Sequence, residues 1–224
     1  MRSLRRPGSR ASPDPGATRS SPTVPVPPVG ADVAPLQLAN ASWVTDRLLV
    51  GGDLHPQQET ALDQAWELAQ AGVTHVLDAR VEWRDDQVWS GLPAVSYHWN
   101  GIDDRGQRVP DAWFDDVAGW ALAALEQPGT RVLTHCHMGI NRGPSAGYAV
   151  LLGLGHDPVE AIGRAAVIAF VAYAGDALRW HHARTGADAR TRRHDRARLE
   201  RWREESGVDL HSVLRRTRAQ EPGR

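Results

Sequence analysis

His135-Cys136-His137-Met138-Gly139-Ile140-Asn141-Arg142 is the stretch on which the reading of this chain turns. It sets the one cysteine of the sequence six positions before an arginine, directly after the apolar run Arg131-Val132-Leu133-Thr134. Five intervening residues let the backbone curl round a tetrahedral anion, with successive N–H groups turned inward and a planar guanidinium fork holding two oxygens. Lysine, a point charge on a flexible stem, offers no such fork. Gly139 in mid-loop tolerates the dihedrals that the curl demands. Gly143-Pro144 reads as a helix start with proline at the first position, which turns the positive end of a helix toward the sulfur and favours the thiolate. Cys136 is therefore the candidate nucleophile. His137, Met138, Gly139, Ile140, Asn141, Arg142, Gly143 and Ser145 are the candidate phosphate-binding positions.

A lone cysteine also fits a small buried hydrophobe. The flanks decide between the two: a strand over 131–135, bounded by the Pro128-Gly129 turn, runs into the loop, and a helix over 144–154 leaves it. The run resembles the His-Cys-x5-Arg signature of the protein tyrosine phosphatase superfamily, and more closely its compact dual-specificity branch. Trp43-Val44-Thr45-Asp46-Arg47-Leu48-Leu49-Val50-Gly51-Gly52 is similar to the branch's opening two strands, and Ala71-Gly72-Val73-Thr74-His75-Val76-Leu77-Asp78 to the strand after its first helix. The likeness runs roughly from residue 43 to 180. It implies a cysteinyl-phosphate mechanism, a structural role for His135 in orienting the loop through hydrogen bonds, and no cofactor or metal.

Ester hydrolysis also needs an acid to protonate the leaving oxygen. In the family this is an aspartate on a loop upstream of the signature, and Trp99-Asn100-Gly101-Ile102-Asp103-Asp104-Arg105-Gly106 stands there. The family spacing, about ten positions before an aromatic of the following helix, picks Asp104 with Phe114 as its marker. Asp103 is the rival.

Two departures from the family pattern matter. The residue after the arginine is Gly143, where the family usually has a hydroxyl that helps the sulfur leave; Ser145 or Asn141 is the candidate substitute. Arg164-Ala165-Ala166-Val167-Ile168 stands where many relatives carry an arginine-proline pair. Two other classes therefore stay open, a phosphate-binding pseudophosphatase and a rhodanese-like sulfurtransferase.

The remaining expectations follow from composition and order. A hydrophobic share of 41% over 224 residues, with nine tryptophans, suits one domain with tails. A net charge of −1 argues against a nucleic-acid protein, all 26 strongly basic residues being arginine. One cysteine permits no internal disulfide and fits a reducing cytoplasm. Residues 1–38, dense in Arg, Ser and Pro, read as a disordered tail. Arg5-Arg6 is followed by no apolar segment, so it does not read as an export signal, and no stretch is apolar enough to span a bilayer. Residues 39–186 form the expected catalytic domain and 187–224 a charged helical extension, with Leu199, Trp202, Val208, Leu210 and Leu214 as its apolar positions.

Strands are expected near 43–52 (two), 73–79, 95–99 and 131–135, and helices over 57–71, 111–126, 144–154, from Asp157, and over 171–185. Such alternation predicts an α/β fold: a mostly parallel central sheet with helices on both faces and the phosphate site at a strand's carboxyl end. His181-His182 point to different helix faces and complete no metal site. The expected partner is a phosphorylated protein or other phosphomonoester, and pocket depth, which decides among substrates, is not readable from the chain.

Overall fold

Three short apolar runs form the middle of the molecule. They are β2 (Leu48–Gly51), β3 (His75–Asp78) and β5 (Val132–His135), buried throughout except at His75, which is partly exposed. The computed structural model describes residues 33, 35–166 and 170–206. With β1 (Ala41–Trp43) and β4 (Ser96–Trp99) at the edges, the sheet runs β1-β2-β5-β3-β4; only β1 is antiparallel. Apolar strands without a polar face belong to a sheet covered on both sides.

Successive side chains of a strand face opposite ways, and that period sorts the core into two layers. Leu48, Val50, Leu77 and Val132 join one cluster, under the helices α3 (Asp111–Leu125), α4 (Arg142–Gly153), α5 (Pro158–Ala165) and α6 (Ala174–Thr185). Leu49, Val76 and Leu133, one position over, join the second, under α1 (Gln58–Gln70) and α2 (Asp86–Ser90). The expected α/β architecture is what forms. The anticipated apolar side of α3 is also buried, through Trp113, Phe114, Val117, Ala121 and Leu125.

Helix ends follow local chemistry where a cap exists. Asp157 accepts from the N–H groups of Val159 and Glu160, with Pro158 at the first position of α5, as its sequence anticipates. Two helix starts differ from expectation by two residues or more. α4 begins at Arg142, which puts Pro144 third, where its missing N–H is still among the unpaired donors of a first turn. α6 begins at Ala174 and not at Val171, because Val171 takes φ +51°, a left-handed conformation that costs a β-branched residue about 1–2 kcal/mol. The five-residue α2 was not anticipated, being too short to show a period.

α7 (Ala189–Ser206) packs on α5 and α6 through Leu199, which is buried, and Trp202. Arg198 ties it to Asp157 by two hydrogen bonds of 2.7 and 2.9 Å. Nearly all of the arginine-rich segment 1–38, and Val208, Leu210 and Leu214, lie outside the described residues. Among those described, no helix is long and apolar enough to cross a membrane.

Candidate active site

The four parallel strands deliver the site from their carboxyl ends, where open α/β sheets gather ligands. β5 runs into the cradle, β2 into Asp53, β3 into Arg80 and Glu82, and β4 into the loop that carries Asp103 and Asp104. Cys136 is 2% exposed and its N–H donates to the Gly51 carbonyl at 3.2 Å. Beyond it, the N–H groups of His137 through Asn141 donate to no protein acceptor among the described residues. Gly139 takes φ +68°, as the curl requires.

Arg142 is almost wholly buried, and its five N–H donors are partly assigned. Nη1 donates to Glu82 Oε2 at 2.8 Å and to the Ile102 carbonyl at 3.0 Å, while Nη2 donates to Glu82 Oε1 at 2.7 Å. Nε has no hydrogen-bond partner. Glu82 therefore grips the outer end of the guanidinium and leaves the Nε–Nη2 edge, itself a two-pronged fork, for an anion. Burial opposes the arginine's charge, yet the Glu82 hydrogen bonds, with the charges of Cys136, Glu82 and Asp104, hold it above its usual pKa. The same hydrogen bonds lower Glu82 to about 2.

The two aspartates part company in space. Asp103 is half exposed and meets Arg105 at 3.3 Å. Asp104 faces the cradle: its Oδ1 accepts from Asn141 Nδ2 at 2.6 Å and lies 3.1 Å from the Tyr173 hydroxyl, and its Oδ2 is 3.6 Å from Arg142 Nε.

Behind the cradle lies a buried ionic cluster that the sequence did not announce. Arg80, fully buried, donates from Nε to Asp78 Oδ1 at 2.8 Å, from Nη2 to Asp78 Oδ2 and Asp85 Oδ2 at 2.6 Å each, and from Nη1 to Asp53. Tyr97 adds a hydroxyl to Asp78 Oδ2 at 2.6 Å. Removing the one cation from such a cluster leaves buried carboxylates uncompensated. Asp78, Asp85 and His135 bring ligand-type atoms within 4.8 Å of one another, but the positive charge between the two carboxylates is Arg80's own.

The histidines serve different ends. The hydrogen bonds anticipated for the His135 ring are not found: neither nitrogen has a partner, and Nε2 stands 3.9 Å from Asp78 Oδ1. Full burial lowers its pKa and keeps it neutral. The backbone does the orienting instead, with the His135 carbonyl accepting from Ala79 N–H at 3.0 Å. His137 is tied back to Asp53 Oδ2 at 2.6 Å, and its ring meets Trp83 edge to face at 5.0 Å.

Gly143 has a steric reason. A β-carbon there would stand 2.7 Å from the carbonyl carbon and Cα of His135 and 2.9 Å from the Cys136 nitrogen, all backbone. The helix start sits too close to the end of β5 for any side chain. Ser145 is buried, with its hydroxyl 3.4 Å from Asn141 Oδ1.

Glu82, Arg80, Asp53 and Tyr173 were missed in the sequence. For Asp53, Arg80 and Glu82 the available signal was position after a strand, but only the strand order reveals that β2 and β3 flank β5; Tyr173, between α5 and α6, offered none.

No family model matches the chain. Human dual specificity protein phosphatase 26 is 34% identical over 104 residues, 43% of this chain and 46% of that protein. The bovine counterpart is 33% identical over 93 residues, 38% of this chain and 41% of the other. The chain thus spans less than half the length of these curated relatives. Among solved structures, PTPMT1 in complex with PI(5)P aligns at TM-score 0.53 and 16% identity, over 66% of this chain and 97% of the other. Human DUSP28 aligns at 0.53 and 17%, over 65% and 95%. The fold is that of the cysteine-dependent protein tyrosine phosphatases, and the sequence similarity lies with their dual-specificity branch.

Proposed function

We propose that this chain is a cysteine-dependent phosphatase that hydrolyses phosphate monoesters, with phosphorylated protein as its substrate class. One observation carries the reading. The buried guanidinium of Arg142 is held at its outer end by Glu82, its Nε has no hydrogen-bond acceptor, and it follows directly on a loop after Cys136 whose N–H groups, from His137 to Asn141, find no protein acceptor among the described residues. Unpaired donors of this number around a thiol are the complement of a phosphoryl group, whose charge lies on its equatorial oxygens.

In this mechanism the Cys136 thiolate attacks phosphorus in line. The P–O bond breaks, its electron pair goes to the leaving oxygen, and Asp104 supplies the proton, giving a cysteinyl-phosphate. Water then attacks phosphorus while the Asp104 carboxylate takes its proton. The P–S bond breaks and the thiolate returns. Arg142 and the loop N–H groups hold the oxygens throughout. Asp104 at 3.6 Å from Arg142 favours this over sulfur transfer, which has no leaving oxygen to protonate. Met138, Ile140 and Asn141 put no basic side chain in the loop, which favours a phosphoprotein over a polyphosphorylated lipid. A sole cysteine, with no second thiol in the sequence to pair with, also suits a compartment that keeps thiols reduced, such as the cytoplasm.

The test is hydrolysis of 4-nitrophenyl phosphate and of phosphotyrosine and phosphoserine peptides by the full chain. Turnover of at least one, abolished in Cys136→Ser and in Arg142→Ala, is expected. Equal turnover by Cys136→Ser, or persulfide formed on Cys136 from thiosulfate in its place, overturns the proposal.

A further inference from the structure

The segment after α5 makes contacts that a mere connector does not need. Phe170 and Val171 both donate N–H to the Ile140 carbonyl of the cradle, at 2.8 and 3.2 Å. Ala172 donates to Asn141 Oδ1 at 2.7 Å. That backbone donor demands an oxygen opposite it, so it fixes the Asn141 amide with Nδ2 facing outward, onto Asp104 Oδ1 at 2.6 Å. Tyr173 follows at once, 3% exposed. Its hydroxyl accepts from Gly106 N–H at 3.2 Å and stands 3.1 Å from Asp104 Oδ1, 3.2 Å from Gln107 Oε1 and 3.4 Å from the Asp103 carbonyl. From the far side, Arg203 of α7 donates to the carbonyls of Val171 and Ala172 at 3.2 Å each. The left-handed turn at Val171 is what lets four consecutive residues face the cradle, the acid loop and α7 in succession.

We propose that Tyr173 is a positioning residue for the general acid, and that the 170–173 segment locks acid loop and cradle in one fixed relation. The inference rests on the phosphatase reading above. A hydroxyl suits both halves of the cycle: it donates to Asp104 Oδ1 both when the carboxyl is ionised and when it carries its proton on Oδ2. Asn141 Nδ2 can only donate, so it holds the oxygen that is not carrying the proton. The reactive proton is then left to Oδ2, the oxygen nearer Arg142 Nε, where a bound phosphoryl ester would bring its leaving oxygen. Sequence reading gave Asn141 a place in the cradle and Tyr173 none.

The experiment compares two aryl phosphates with the full chain and with Tyr173→Phe. Phenyl phosphate leaves as a weakly acidic phenol and needs the acid; 2,4-dinitrophenyl phosphate leaves as a stable phenolate and does not. A general acid contributes on the order of 10²–10⁴ in rate, and loss of one of its two holders should cost about tenfold in kcat/KM on phenyl phosphate and less than twofold on the dinitro ester, since kcat/KM reads only the steps up to the cysteinyl-phosphate. The ratio of the two rates is taken on one preparation, so a variant that folds less completely still reports it. An unchanged ratio, whether from equal loss on both esters or from none, overturns the role of Tyr173 while leaving the phosphatase reading intact. Absence of Cys136-dependent turnover by the unsubstituted chain on either ester overturns that reading and this inference with it.

Discussion

Glu82→Ala separates two accounts of the carboxylate that sits on Arg142. If Glu82 orients the guanidinium, its loss weakens catalysis; if it competes with substrate for the fork, its loss strengthens phosphate binding. The geometry favours orientation, because Glu82 occupies Nη1 and one proton of Nη2 and leaves Nε, 3.6 Å from Asp104 Oδ2, without a hydrogen bond. Two charge-assisted hydrogen bonds are worth about 3–6 kcal/mol together at about 1.5–3 each. The Glu82 side chain is 34% exposed, so water enters after truncation and restores roughly half. The remaining loss of about 1.5–3 kcal/mol predicts a fall in kcat/KM on the order of 10- to 150-fold. Steady-state kinetics on 4-nitrophenyl phosphate, with inorganic phosphate as product inhibitor, reads both quantities. Orientation predicts weaker phosphate inhibition alongside the slower turnover. Tighter phosphate inhibition with kcat/KM unchanged or raised would refute the argument.

Gly143→Ser, which restores the residue type usual in the resembled family, should destabilise the fold by about 1–3 kcal/mol, since the added carbon meets backbone at 2.7 Å. It should not speed breakdown of the cysteinyl-phosphate, and a chemical melt with a pre-steady-state burst measurement checks both halves. Stability should also decline on acidification in two stages. Burial depresses the His135 pKa below 6.5, so its contribution is present above 6.5 and lost as pH falls below it. Glu82, lowered from 4.5 to about 2, contributes fully above 4.5 and loses that contribution toward pH 2, a stage that Glu82→Ala should lack. Urea midpoints taken from pH 7.5 to 3 test this, and a midpoint that rises between pH 6.5 and 5 contradicts it.

Much of the site was legible because its logic is local. Cys136 and Arg142 lie six residues apart on one loop, and the Gly139 requirement is a property of single-residue dihedrals. The strand-loop-helix order around them follows from periodicity and turn residues. The apolar side of α3 and the Asp157 cap of α5 were readable for the same reason, since each depends only on neighbours within a few positions. What failed was whatever depends on a distant segment. The start of α6 moved because Val171 is held left-handed between Ile140 and Arg203, contacts separated by more than thirty residues.

The order of residues alone determined that one thiol and one guanidinium would share an anion-sized loop at the end of a buried strand, because chain geometry over eight residues leaves few other outcomes. Tertiary structure decided which carboxylates lie against that loop, Asp104 near Arg142 Nε and Glu82 on its two outer nitrogens. Asp103 and Asp104 are adjacent and chemically alike; the spacing of the resembled family pointed to Asp104, and the meeting of Asn141, Tyr173 and Arg142 is what sets the two apart in space. Glu82 is sixty residues from Arg142, and it reaches the guanidinium because β3 lies beside β5 in the sheet. That pairing is fixed by the burial of both faces of the sheet, a condition of the whole fold that no short window of sequence contains.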